Sequence, residues 1–386
     1  MRLFSAWKWM VRALALVGLL CLLGLGWTMV RYWDTMGSLV QLTALLKTQA
    51  LQPAENPVLI TGAMRGMVDA LGDPYSAYLD RDEYQELTMK IQASFGGVGL
   101  VVGADEKDQI RVVSPMKDTP AARAGIRAGD IILSIDRRST VGMSLDQAAR
   151  LLRGDPGTQV IVGVYRESDG QEHQFRIIRE IIQVPSVEWR VLEGEPRLGY
   201  LYLMQFSAHS ASEVEQALDE MTERGARGLV LDLRDDPGGD FEAAVKIADQ
   251  FLDSGTIVRV VDRGGAEKVY EAKRGAFTLP VVVLINQGTA SSAEILAGAL
   301  QDSGRAVLVG EKSFGKGLVQ TVFPLVGGDA LKVTTDRYET PKGTDIDRVG
   351  IAPDYVVKPQ DGADVQLERA RQLLVRQLQR TPAAAA

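Results

Sequence analysis

LPVVVLINQGTASSAEILAGALQDSGRAVLVGEKSFGKGLVQ, residues 279–320, alternates two kinds of hydrophobic pattern. VVVLI is apolar on both faces, as a strand buried between two layers must be. SAEILAGALQDSG then carries a helical pattern closed by glycine, and RAVLVGE returns to a strand. Strand, helix and strand in succession mean an α/β layered domain. The alternation extends both ways over residues 183–375. GYLYLMQF, GLVLDLR and KVTTDRYET read as further strands, and SASEVEQALDEMTERG and FEAAVKIADQFLD as further helices.

In such domains functional residues gather on loops at strand ends. Two loops here carry chemistry. LRDDPGGD, residues 233–240, follows the strand GLVLDL. Its aspartates Asp232, Asp235, Asp236 and Asp240 could be cation ligands, but their spacing fits no EF-hand loop, and no metal is expected. Its Pro237-Gly238-Gly239 turn could aim backbone N–H groups into a cleft as an oxyanion hole, or be an ordinary polar turn. NQGTASSAE, residues 286–294, opens a helix. Ser291 with Glu294 three residues on is a capping box, or a nucleophile where the helix dipole favours developing negative charge.

A serine nucleophile needs a base. His209 lies in FSAHSASE and His173 in a β-rich segment upstream, and neither carries a supporting signature. A lysine can serve if burial lowers its pKa toward neutrality. Lys316 has glycine on both sides, so backbone and ligand could approach it closely. If GKGLVQ is extended, Lys316, Leu318 and Gln320 share one face, and Gln320 could orient the amine. Gly310 and Gly315-Lys316 also show the G-x-x-x-x-G-K spacing of a phosphate loop, but Gly317 stands where such a loop needs Ser or Thr.

Upstream lies a β-rich unit, residues 91–182, opened by the glycine cluster SFGGVGLVV. Its strands read as GLVVGA, QIRVVSP, DIILSI, TQVIVGVYR and HQFRIIRE. SLDQAARLLRG reads as a helix with Leu145, Ala148, Ala149 and Leu152 on one face and Gly154 as its stop, giving a small β-barrel with one long helix. Residues 34–90 read as a packing helix pair broken at Pro53 and Pro57 and ended at Gly72-Asp73-Pro74.

Residues 13–30, ALALVGLLCLLGLGWTMV, are eighteen consecutive uncharged residues, about the minimum for a membrane-spanning helix. Arg2, Lys8 and Arg12 before them put the N-terminus in the cytoplasm. Residues 1–33 are therefore expected to be a cytoplasmic stub and transmembrane anchor, or alternatively a cleaved signal; either way the body is exported. Residues 376–386, ending in TPAAAA, are expected to be a disordered tail. The 386 residues carry a net charge of −7, which argues against a nucleic-acid partner. One cysteine, Cys21, and two histidines exclude a disulfide framework, a Cys-zinc site, a thiol nucleophile and a His-rich metal site.

TPAARAGIRAGDIILSID, residues 119–136, and FGGVGL together resemble a PDZ domain. The resemblance makes Phe95, Gly96, Gly97, Val98, Gly99 and Leu100 the loop whose N–H groups face a peptide's terminal carboxylate. From about residue 60 to 358 the chain further resembles the carboxy-terminal processing proteases, serine peptidases with an inserted PDZ domain and a Ser-Lys dyad. TASSAEILAGALQDSGRAVLVGEKSFGKGLVQ resembles their most diagnostic block. GAMRGMVDALGDPYSAYL, LDLRDDPGG and RYETPKGTDIDRVGIAPDYVV follow the family's order.

The resemblance implies a crotonase/Clp-protease-like layered α/β protease core over 183–375 with the PDZ domain inserted. It places the nucleophile on Ser291, the general base on Lys316 and the lysine-holding glutamine on Gln320. The oxyanion hole falls on the backbone of Ser292 and of Gly238 or Gly239. It implies no cofactor, peptide or protein substrates with free C-termini, and the bacterial periplasm, with the thylakoid lumen or secretion after cleavage as alternatives. A homo-oligomer is possible.

The chain departs from the family where Asp235-Asp236 replaces Asn-Asn, adding negative charge beside an oxyanion site, and where Ser292 replaces Ala. Both changes are expected to be tolerated because the hole uses backbone. The rival readings are a catalytically inactive, membrane-tethered PDZ scaffold and a nucleotide-binding enzyme.

Overall fold

The structure, a computed structural model, describes residues 33–52, 54–273 and 277–380, with 16, 18, 19, 26 and 27 as isolated helical positions. The expected anchor at 13–30 thus lies almost wholly outside the described residues. Among those described, no helix is long and apolar enough to cross a membrane.

The chain divides into two compact units, up to Asp80 and from Arg81 onward. The first holds helices α1 (Trp33–Gln49) and α2 (Asn56–Asp69) and a short strand β1 (Ala77–Leu79). Pro57 sits in the first turn of α2, where its missing N–H costs nothing. Both expected helices form, but neither buries a described side chain: Leu39, Val40 and Leu45 on α1 and Val58, Ile60 and Met67 on α2 are exposed.

The second unit begins with α3 (Arg81–Gln92), then β2 (Ser94–Gly97), β3 (Leu100–Ala104), β4 (Ile110–Pro115), a short helix α4 (Pro120–Ala124), β5 (Ile131–Ile135) and β6 (Arg138–Ser139). It continues with α5 (Leu145–Leu152), β7 (Gln159–Arg166), β8 (Gln171–Ile178) and β9 (Glu180–Gln183). Strands β3-β4-β5-β7-β8 form an antiparallel sheet with β6 on β5, and β2 pairs with β9 where the chain enters and leaves. Val112, Ile132, Val160, Val162 and Val164 fill its core.

The PDZ-like helix is shorter than expected: α5 has eight residues, capped by Ser144 and Gln147 in a capping box. Ala148 and Leu152 are buried, but Leu145 is 37% exposed. One end of its apolar face looks out beside the edge strand β3 rather than into the core.

After β10 (Val187–Leu192) and β11 (Leu198–Leu203) come α6 (Ser210–Glu223), β12 (Leu229–Asp232), α7 (Phe241–Phe251), β13 (Thr256–Asp262) and β14 (Glu267–Glu271). The chain ends with β15 (Val281–Ile285), α8 (Ser292–Asp302), β16 (Ala306–Gly310), β17 (Leu318–Pro324), β18 (Ala330–Glu339), β19 (Tyr355–Val356) and α9 (Val365–Arg380). The main sheet runs β10-β11-β12-β15-β16-β19, parallel except for β10. A second, antiparallel layer pairs β17, β18, β13 and β14.

All five residues of β15 are buried. Val281, Val283 and Ile285 face the core under α6, α7 and α8, and Val282 and Leu284 face α9. Each such side chain contributes about 1.5–3 kcal/mol, and burial on both faces is what VVVLI calls for. Residues 376–380, expected to belong to a disordered tail, instead continue α9, which runs through Arg380 and buries Ala370, Leu373 and Leu374; residues 381–386 lie outside the described ones.

Candidate active site

Parallel strands β12 and β15 lie side by side, so the loops after them meet. Leu233 N–H donates to the Leu284 carbonyl (2.9 Å), Ala290 N–H to the Asp236 carbonyl (2.9 Å), and Thr289 Oγ1 to the Leu233 carbonyl (2.7 Å). Asp235 N–H donates to Asn286 Oδ1, and Asn286 Nδ2 to Asp235 Oδ1, both at 2.9 Å. The base of the first loop is fixed by Arg234, which pairs with the buried Asp232 and with Asp364 before α9. The acidic loop is thus a hydrogen-bonded turn. Among the described residues no group of His, Cys, Asp and Glu is placed to hold a metal ion.

A cleft of about 570 Å³ opens where these loops meet β17. Gly238, Gly239, Ser291, Ser292, Lys316 and Gln320 all line it, together with Leu87 and Ile91 of α3, Phe206, Phe241, Ile295 and Leu318. Sequence reasoning did not find α3, which reads there only as more helix. The six residues Phe95–Leu100 are not in this cleft. Nor are they a single loop: Phe95–Gly97 form β2, and only Val98 and Gly99 turn before β3. His173 stays on the PDZ-like sheet beside Asp169, and His209 precedes α6. Neither lines the cleft.

Ser291 stands at the N-terminus of α8 with φ 55° and ψ −120°, a strained conformation that costs of order 1–3 kcal/mol. Only half of the capping box forms: Ser291 N–H donates to Glu294 Oε2 at 2.9 Å, while Glu294 N–H donates to the Ser291 carbonyl at 2.8 Å rather than to its hydroxyl. Glu294 does far more than cap. Only 1% exposed, it also accepts Ser313 Oγ (2.5 Å) and Gly315 N–H (2.8 Å) on Oε1 and Lys316 N–H (2.8 Å) on Oε2. One carboxylate therefore holds the serine and the lysine segments together.

That filled anion site also disposes of the phosphate loop. The N–H groups of Gly315 and Lys316 serve the protein's own carboxylate, and the chain leads from β16 into β17 rather than into a helix. The flanking glycines serve backbone packing, not ligand approach. A Cβ on Gly315 would lie 2.8 Å from Gly350 N, and one on Gly317 2.7 Å from Asp347 N. The extended face is modified too. The strand starts at Leu318, and a register shift between Val319 and Gln320 breaks strict alternation, yet Lys316, Leu318 and Gln320 still reach the cleft. Gln320 Nε2 donates to Thr334 Oγ1 at 3.3 Å.

Tyr338 was missed because a buried hydroxyl has no sequence signature. Its OH lies 2.9 Å from the Ser291 carbonyl and 2.5 Å from the Lys316 carbonyl. Burial, and next the nearby Glu294 charge, push the phenol well above its ordinary pKa, so it stays a donor.

The glycine turn presses against Ser291: a Cβ on Gly238 would come within 2.7 Å of the Ala290 carbonyl and 2.9 Å of Ser291 Cβ. Phe206 N–H donates to the Gly238 carbonyl and Asp240 N–H to the Phe206 carbonyl, both at 2.9 Å, leaving Gly239 N–H on the opposite side. Ser292 N–H is one of the unpaired amides of a helix start. Ser292, where alanine was expected, fastens the two loops, its Oγ donating to the Gly239 carbonyl at 3.0 Å.

Residues 197–357 match Peptidase family S41, residues 111–166 a PDZ domain, and residues 29–83 the Activating protease CtpB N-terminal domain. The carboxy-terminal-processing protease of Bartonella bacilliformis is 40% identical over 320 residues, covering 81% of this chain and 73% of that protein. The carboxyl-terminal-processing protease of Synechocystis sp. is 39% identical, covering 84% and 78%. Among solved structures, the photosystem II D1 C-terminal processing protease superposes with a TM-score of 0.50 at 32% identity, over 86% of this chain and 89% of that one. The chain belongs to peptidase family S41 and is a serine-type peptidase with a PDZ domain, related over most of its length to carboxyl-terminal-processing proteases.

Proposed function

We propose that the chain cleaves polypeptides by a Ser-Lys dyad through an acyl-enzyme, after its PDZ domain has taken hold of a substrate's free C-terminus. The reading rests on one observation. Ser291, Lys316 and the turn at Gly238-Gly239 line the same cleft at the N-terminus of α8. Neutral Lys316 Nζ takes the proton of Ser291 Oγ as Oγ attacks the scissile carbonyl. The tetrahedral oxyanion is received by the N–H groups of Ser292 and Gly239, each such donor being worth about 10²–10³-fold in rate. Lys316 then passes the proton to the leaving amine, and a water activated by the same amine hydrolyses the ester. Gln320 and Tyr338 hold the lysine segment in register.

The substrate's C-terminus adds as a strand beside the edge strand β3, under the outward end of α5, with its carboxylate at Val98-Gly99. The apolar segment 13–30 tethers the exported body to a membrane, which carbonate extraction of the full chain tests.

Ser291→Ala and Lys316→Ala should each lower peptide cleavage by about 10⁴-fold or more while leaving the melting temperature near that of the wild type. Substantial turnover by either purified variant would sink the dyad. Wild type that binds C-terminal peptides but takes no label from a serine-directed acylating probe would be a scaffold instead.

A further inference from the structure

The buried carboxyl of Asp236 has no part in the steps above, yet it sits inside the turn that frames the oxyanion. Asp236 is 0% exposed. Its Oδ1 accepts Gly238 N–H at 2.8 Å, and its Oδ2 has no partner among the described residues. Its main chain is pinned as well, with Ala290 N–H donating to its carbonyl.

The charged groups around it are committed elsewhere. Asp232 on β12 pairs with Arg234 and Tyr200, Asp235 on the same loop with Asn286, and Asp240 caps α7 through Ala243 N–H. Glu294 on α8 serves the 313–316 segment. Tyr202 on β11 is a neutral phenol, pushed up by burial and then by Asp232, Asp235 and Asp236. Desolvation dominates Asp236, the Gly238 N–H opposes it, and no cation enters; the carboxyl is pushed up to about 8.

We propose that Asp236 is a positioning residue that works as an un-ionised acid. By taking Gly238 N–H out of the cleft it leaves the Gly239 amide to meet the oxyanion, and loss of its proton disables the turn. The charge the sequence adds beside an oxyanion site is thereby absent while the acid keeps its proton. Ionisation would leave an unpaired buried carboxylate, which opposes both the turn's geometry and the negative charge of the transition state. This rests on the proposed peptidase mechanism, and its test has one readout that does not.

The test compares wild type with D236N, which keeps the Oδ1 acceptor and cannot ionise. The folded state holds a proton between the unfolded pKa of about 3.9 and about 8. Wild-type stability should therefore fall relative to D236N as pH rises through that window and level off above it. Thermal midpoints from pH 4 to 9 read this without catalysis. In peptide cleavage, wild-type kcat/KM should fall about tenfold per pH unit above the pKa, and D236N should lose that limb. D236A should lower kcat more than KM. Parallel melting profiles, or an alkaline limb that persists in D236N, would overturn the proposal. A wild type that cleaves no peptide at any pH, with diverging melting profiles, would instead fault the mechanism and leave the buried acid standing.

Discussion

Glu294→Gln tests how far one buried carboxylate organises the site. Glu294 receives four donors: Ser313 Oγ and Gly315 N–H on Oε1, Ser291 N–H and Lys316 N–H on Oε2. Only an acceptor with no proton of its own can take all four. Glutamine keeps the volume but turns one oxygen into NH₂, so two donors lose their acceptor and face another donor. Hydrogen bonds to a charged group contribute about 1.5–3 kcal/mol each, giving a loss of about 3–6 kcal/mol. For a unit of this size that lowers the melting temperature by about 5–10 °C.

The catalytic loss has a separate origin. Each broken pair includes a donor from the segment carrying Lys316, and the Oε2 pair also frees Ser291, so the two groups drift apart. A displacement of about 1 Å costs on the order of 10²-fold in rate. The assay is single-turnover acylation by a serine-directed probe, well below the melting transition, alongside calorimetry. Ser313→Ala removes one donor to Oε1 and the acceptor of Ile351 N–H, so it should cost about 2–4 kcal/mol, yet it leaves Ser291 and Lys316 on the carboxylate and should leave the acylation rate within about threefold of wild type. Glu294→Gln with an acylation rate within about threefold of wild type and an unshifted transition would refute the assignment of Glu294 as the staple between the two segments.

Two further substitutions probe the loops. Gly238→Ala forces a side chain at φ 91° into the Ala290 carbonyl and Ser292 N. The expected cost is about 2–5 kcal/mol, with loss of acylation before loss of PDZ peptide binding, and fluorescence titration of a C-terminal peptide separates the two. Arg234→Met leaves Asp232, 1% exposed, without its cation. A destabilisation of about 3–5 kcal/mol in urea unfolding is expected, and a change below about 1 kcal/mol would mean the pair is not what fixes the loop base.

The backbone plan was open to reading because it is written in local pattern. The doubly apolar VVVLI, the three helices SASEVEQALDEMTERG, FEAAVKIADQFLD and SAEILAGALQDSG, and the PDZ-like strands all appear where their periodicity puts them. The antiparallel layer was harder. TIVRVVD and EKVYE form β13 and β14, yet their charged, half-exposed residues dilute the alternation that marks a strand. The eight-residue α5 and the unburied α2 depart from expectation because burial depends on what lies opposite a face, which no helix records about itself.

The sequence alone singled out the candidate residues: Ser291 before a helix, Lys316 between glycines and a PGG turn after a strand, in an order that resembles a peptidase. Their meeting in one cleft is tertiary, since β12 and β15 are adjacent in the sheet but some fifty residues apart in the chain. So are the roles of Glu294, Tyr338 and Asp236. A capping glutamate became the tie between two segments because Ser313, Gly315 and Lys316 fold back onto it. An aspartate that reads as added charge is pushed toward neutrality because the fold strips its water and supplies no cation. Hydrogen-bond partners and desolvation are properties of neighbours, and neighbours are what folding chooses.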